Sequence, residues 1–175
     1  MSDQNLFNEL AHAAKLDPKR RGELAELAFM RKAASLGFAV AKPWGDSDRY
    51  DVVVRFESTF WRVQIKSVLG KSPSRGYYRV QTAHSRQHTY TAKDIDFLVA
   101  YIFAEDIWYV IPAHVVENKK SLCLTPGSKR SSVDQYREAW GLMMKSPGDD
   151  IATRAVNVAD GAEGARAVAI DSAAT

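Results

Sequence analysis

The chain has 175 residues, 46% of them hydrophobic and 26% charged, with a net charge of +3 and a single cysteine, Cys123. That length and balance suit one ordinary globular domain with a sizeable core, and one cysteine excludes an internal disulfide framework. The longest apolar run, Phe97 to Ala104, is far too short for a membrane span, and the first residues lack the basic-then-apolar pattern of a secretory signal, so a cytoplasmic protein without a membrane partner is expected.

Residues 1–17 read as an amphipathic lead-in. Asp17-Pro18 is a helix start, since Asp caps and Pro is preorganised for the first turn, and the helix should run from Pro18 to Ser35 and stop at Gly37. Leu24, Leu27, Ala28 and Ala34 mark an apolar stripe. Glu23, Glu26, Met30 and Ala33 lie along its edge, from where Glu26 can reach a sheet. Phe38 to Ala41 reads as a short strand, and Lys42 to Asp48 as a breaker-rich loop.

Two strands follow, Tyr50 to Val54 and Trp61 to Lys66. Positions 51 and 64 are equidistant from the midpoint between Glu57 and Ser58, so an antiparallel hairpin makes Asp51 and Gln64 cross-strand partners. Arg62, Gln64 and Lys66 then share one face. Glu57-Ser58 lacks the chemistry of a tight turn, so a four-residue loop with the same centre is expected. Charges among Val and Ile are costly unless they pair or bind something, although a half-buried hairpin with polar residues facing water has the same alternation.

Gly70 to Gly76 is a basic loop, Tyr77 to Gln81 a strand, and Asp96 to Phe103 and Ile107 to Ile111 two buried strands ended by Pro112. Ser121 to Leu124 suits an edge strand, and Val133 to Met143 an amphipathic helix with Val133, Tyr136 and Trp140 on one side. Residues 145–175 turn to Ala, Gly and Asp without aromatics and read as a disordered tail, leaving 18–144 as the folded domain. The order is that of an α+β domain, an N-terminal helix packed on a mixed central sheet with a later helix.

Charge is segregated along the chain. From Ser58 to Lys93 there are seven bases and no acid, so the remainder nets −4 against the overall +3. A polyanion-facing surface accounts for this, with Tyr77, Tyr78 and Tyr90 available to stack on bases; a basic solvated face with core tyrosines is the competing account. His84 and His88 have metal-pair spacing but no third ligand.

Glu-bearing helix, Asp-bearing strand and Gln-x-Lys strand, in that order, resemble the PD-(D/E)XK nuclease superfamily. The similarity is greater to the branch that includes a cyanobacterial group I intron homing endonuclease. The matching pieces are Arg21-Gly22-Glu23-Leu24-Ala25-Glu26, Pro43-Trp44-Gly45-Asp46, Tyr50-Asp51, Val63-Gln64-Ile65-Lys66 and Trp108-Tyr109-Val110-Ile111-Pro112. Arg21 departs from the branch's usual Lys, and motif register favours Glu26 over Glu23.

The resemblance implies a restriction-endonuclease-like core and a Mg²⁺-dependent DNA endonuclease, Mn²⁺ being able to substitute. Asp51, Gln64 and Glu26 would hold the metal, Gln64 as a neutral amide in place of an acid, and Lys66 would stabilise charge in the transition state. Lys71, Arg75, Arg79 and Arg86 would contact phosphates. Cutting both strands of DNA asks for two sites, hence a homo-oligomer, dimer or tetramer. A homing role, a Holliday-junction resolvase and a repair nuclease share this core. The competing class is a catalytically weak or inactive nucleic-acid-binding module of the same fold, which the neutral Gln64 keeps open; a domain unrelated to nucleic acid would leave the acid-free stretch to chance.

Overall fold

The computed structural model describes residues 15, 17–45, 47–83 and 88–145. Of its two units, Met1–Leu142 carries the fold set out below, and Met143–Thr175 contributes, among the described residues, only the end of a helical turn.

Helix α1 spans Pro18–Ser35, the expected limits. The Asp17 side chain accepts from the backbone N–H groups of Lys19 and Arg20 at 3.0 and 3.1 Å, satisfying donors that the first turn leaves open. Gly37, at φ +91°, supplies the left-handed residue that ends it. The buried face differs from the expected stripe. It is Ala25, Phe29 and Ala33, whereas Leu27 is 60% exposed and Ala34 is exposed. Residues 24–34 are apolar around much of the helix, so periodicity alone does not select a face. Packing selects it: two alanines let the backbone approach while Phe29 sets its ring 6.0 Å from that of Trp108 and 5.7 Å from that of Trp140.

Among the described residues seven strands form two sheets: β1 (Ala39–Ala41), β2 (Val52–Phe56), β3 (Thr59–Val68), β4 (Tyr78–Gln81), β5 (Phe97–Ile102), β6 (Ile107–Pro112) and β7 (Ser121–Leu124). The central sheet has the order β1-β2-β3-β5-β6, and β4 pairs with β7 in a separate ribbon. Within the central sheet β3 and β5 run parallel and the other neighbours antiparallel, which makes it mixed, as expected. Every residue of β5 is buried. Alternation assigns Leu98, Ala100, Ile102, Tyr109 and Ile111 to a cluster with Tyr78, Val80, Leu122 and Leu124 of the ribbon. The opposite face, with Tyr101 stacked on Trp108 at 4.1 Å, receives α1. A short helix α2 (Ala113–Val116) follows β6.

The hairpin register, Val52↔Val63 to Phe56↔Thr59, has the expected centre. The turn does not have the expected four residues. It has two, with Glu57 at φ +52° and its carbonyl accepting from Arg55 Nη1 at 2.7 Å. The expected helix over Val133 to Met143 is also replaced, by 3₁₀ turns at Asp134–Tyr136 and Trp140–Met144. Between them Glu138, at φ +50°, donates its N–H to the Trp108 carbonyl at 2.8 Å and accepts the Trp108 N–H on Oε1 at 2.7 Å. The outer edge of β6 needs partners, and a continuous helix could not supply them.

Candidate active site

Strand β3 outlasts its neighbour. Pairing with β2 ends at Val52↔Val63, and the Asp51 N–H still reaches the Val63 carbonyl at 2.9 Å. From Gln64 onward no strand among the described residues pairs with that edge of β3. The Asp51 carboxylate stands in for one: Oδ2 accepts the Ile65 N–H at 2.7 Å and Gln64 Nε2 at 2.6 Å. Nε2 also lies 3.3 Å from the Ile65 carbonyl. Gln64 is 6% exposed, so its amide is satisfied by this edge rather than by bulk water.

Lys66 lies two residues on, half-buried, with Nζ 5.6 Å from the centre of the Tyr90 ring. Glu26 approaches from α1, also half-buried, with Oε2 2.6 Å from Lys42 Nζ. Glu23 is exposed. Burial pushes the Asp51 carboxyl above the usual carboxylate range, the Glu26 charge adds to this, and the Ile65 N–H, Lys66 and Gln64 offset part of it. Burial also holds the Lys66 ammonium below the usual lysine range, against the pull of Asp51 and Glu26. Tyr90 is pushed up to about 12, first by burial and then by the Asp51 charge. Two carboxylates, an amide and an ammonium therefore share one electrostatic environment. Among the described residues no cluster of three or more His, Cys, Asp or Glu side chains could hold a metal, so a cation here would need the amide as well.

Sequence reasoning missed two neighbours. Lys42 directly follows β1, and only the folded chain turns its side chain onto Glu26. Tyr90 had one signal, its position among the bases, but at 3% exposure it borders Lys66 from the core; Tyr78, also 3% exposed, is equally closed to stacking on a base.

The bases divide. Arg62 forms a two-pronged pair with Asp96 (Nη2 to Oδ1 2.8 Å, Nε to Oδ2 3.1 Å) and donates to the carbonyls of Ala92 and Lys93. It is a structural clamp on the approach to β5. Lys71 pairs with Glu105 at 3.3 Å and lies over the Tyr78 ring. Arg75 is exposed in a turn closed by Ser72, and Arg79 is exposed on β4 with Nε 3.1 Å from Ser121 Oγ. Arg86 and His84 lie outside the described residues; His88 is exposed.

Residues 16–143 match the family model described as PD-(D/E)XK endonuclease. Among solved structures, that of a bacterial homing endonuclease, I-Ssp6803I, is similar, with a TM-score of 0.66 and 31% sequence identity over 74% of this chain and 94% of that one. The α+β architecture with its mixed sheet is a restriction-endonuclease-like fold. No curated protein matches the chain.

Proposed function

Because the chain belongs to the PD-(D/E)XK endonuclease family, we propose that it is a Mg²⁺-dependent DNA endonuclease, with Mn²⁺ able to substitute, working through Glu26, Asp51, Gln64 and Lys66. The observation that carries this reading is the Asp51–Gln64 contact of 2.6 Å on the open edge of β3, with Lys66 beside it and Glu26 close enough to act on both charges.

The donors suit a hard divalent cation, since all are oxygens. Both hydrogen bonds to Asp51 end on Oδ2, which leaves Oδ1 as the oxygen that would hold a cation, and with Nε2 on Asp51 the amide oxygen is what Gln64 would offer. A cation would also relieve the repulsion from Glu26, which adds to the burial that raises the Asp51 pKa. When bound, the metal neutralises phosphoryl oxygens and lowers the pKa of water. The chain's own part is to orient and to exclude. The Ile65 N–H and Gln64 fix the Asp51 carboxylate against the sheet edge. Lys66 donates to the oxygen on which negative charge develops. Glu26 completes the donor set once Lys42 gives way or shares its oxygen.

Arg75, Arg79 and Arg86 contact phosphates, as does Lys71 after release from Glu105; residues 18–144 form the nuclease domain. The likeness to I-Ssp6803I supports a homing-type role, and double-strand cleavage would call for a homo-oligomer. Gln64 favours one second reading. A neutral amide where an acid would bind metal more strongly suits a module that holds DNA without cutting it.

The test is incubation with supercoiled and linear DNA in Mg²⁺ or EDTA. Metal-dependent nicking that disappears in Lys66→Ala, while binding persists, is expected. Salt-sensitive binding without cleavage by wild type would favour the module, and no binding at moderate salt would sink both.

A further inference from the structure

The loop between β1 and β2 is attached to the site at both ends. It leaves β1 at Lys42, whose Nζ is 2.6 Å from Glu26 Oε2, and it ends at Asp51, bonded to Gln64 and Ile65. Trp44 lies two residues into it and is 102% exposed, as open as an isolated residue. The contrast with the other tryptophans is large: Trp108 and Trp140 are 3% and 5% exposed, and the Trp61 ring packs edge-on against Phe97 at 5.3 Å. Gly45 follows at φ +82°, turning the chain directly after the indole, and a Cβ built there would meet nothing within 4 Å. The loop contributes nothing to the core at this point.

A fully hydrated indole on a rim two residues from a site residue is an apolar plate without a partner among the described residues. Its backbone lies within about 7 Å of that of Lys42, roughly two base steps along a nucleic acid strand. A strand whose phosphate is held at Asp51 and Lys66 lies beside the loop that ends at Asp51 and carries Trp44. Every base has a π-face, and aromatic stacking on it tolerates any sequence.

We propose that Trp44 is a substrate-positioning residue whose indole stacks on a nucleobase beside the scissile phosphate. The inference rests on the endonuclease reading, and its test separates the two. Tryptophan emission of the wild type and of Trp44→Phe is recorded while a short DNA duplex, or one of its strands, is added in EDTA, so that no cleavage occurs. The difference between the two proteins isolates Trp44. We expect that difference signal to be quenched by the single strand, whose bases present open faces, and less by the duplex. Trp44→Ala should bind roughly 5- to 150-fold more weakly, the factor for one lost base–aromatic stack, with Trp44→Phe retaining most of the affinity. Melting temperatures should not change, because the indole is fully exposed and packs on none of the described residues.

DNA binding with an unaltered difference signal and full affinity in Trp44→Ala overturns the stacking role and leaves the endonuclease standing. A difference signal that depends on protein concentration without DNA overturns it in favour of a second copy covering the ring. Failure of the wild type both to bind and to nick DNA removes the two readings together.

Discussion

Asp51 presents one oxygen to two donors at the point where β3 loses its neighbour, and this arrangement exacts a penalty in the metal-free protein. Its folded pKa is raised above the unfolded value, so the folded state holds more protons than the unfolded one at pH values just above the ordinary carboxylate range, and stability falls as pH rises through that window. Asp51→Asn keeps an acceptor for both donors and removes the charge. In EDTA it should melt higher than wild type at neutral pH and lose the pH dependence in that window, as read by thermal unfolding across pH. Lys66 has the opposite sign: its lowered pKa makes stability rise with pH just below the ordinary lysine range. Gln64→Glu brings the contrary change. It exchanges the bond from Nε2 to Asp51, 2.6 Å long, for a carboxylate pair, with a loss of about 2 kcal/mol in metal-free stability from the charge-assisted hydrogen bond alone. The same substitution should bind Mg²⁺ more tightly in calorimetric titration. Equal affinity for Mg²⁺ would mean that residue 64 does not face the cation.

The elements differ in how much of them could be read from the chain. The limits of α1 are written in local chemistry, the Asp17 cap with Pro18 and then Gly37, and these act over a few residues. The pairing of Asp51 with Gln64 followed from the centre of the hairpin, which both flanking strands share. The tight turn did not, because Glu57 takes a positive φ that its type disfavours and is held there by Arg55. The face of α1 and the broken segment after Val133 depend on partners distant in sequence, the aromatic face of the sheet and the open edge of β6. Lys42 escaped for the same reason, since its significance lies in Glu26, sixteen positions earlier. The choice of face has a direct check by urea unfolding. Phe29→Ala should cost about 3–5 kcal/mol, and Leu27→Ala should stay within about 0.5 kcal/mol of wild type. A large loss at Leu27 would put the buried face where periodicity first suggested.

Across the whole molecule, a local excess of positive charge does not amount to a binding surface. Arg62 is committed to Asp96 and two carbonyls, and Lys71 to Glu105, whereas Arg75 and Arg79 remain exposed. Arg75→Ala should therefore lower the slope of log affinity against log salt concentration by about 1. Arg62→Ala should leave that slope unchanged and destabilise the fold by about 2 kcal/mol through its lost charged hydrogen bonds. Salt titrations of DNA binding with both variants measure this directly.

The parallel pairing of β3 with β5 bears on the order in which the protein assembles. A two-residue turn suffices to bring β2 and β3 together, so Asp51, Gln64 and Lys66 meet across a short loop. Parallel neighbours need a crossover, and here the chain must travel from Val68 back to Phe97 before the seam can close. Closing the longer loop carries the greater entropic cost and sets the slower step. That crossover is also the segment that carries Lys71, Arg75 and Arg79. During refolding, the pairing that joins Asp51 to Gln64 should therefore precede closure of the segment that carries Lys71, Arg75 and Arg79.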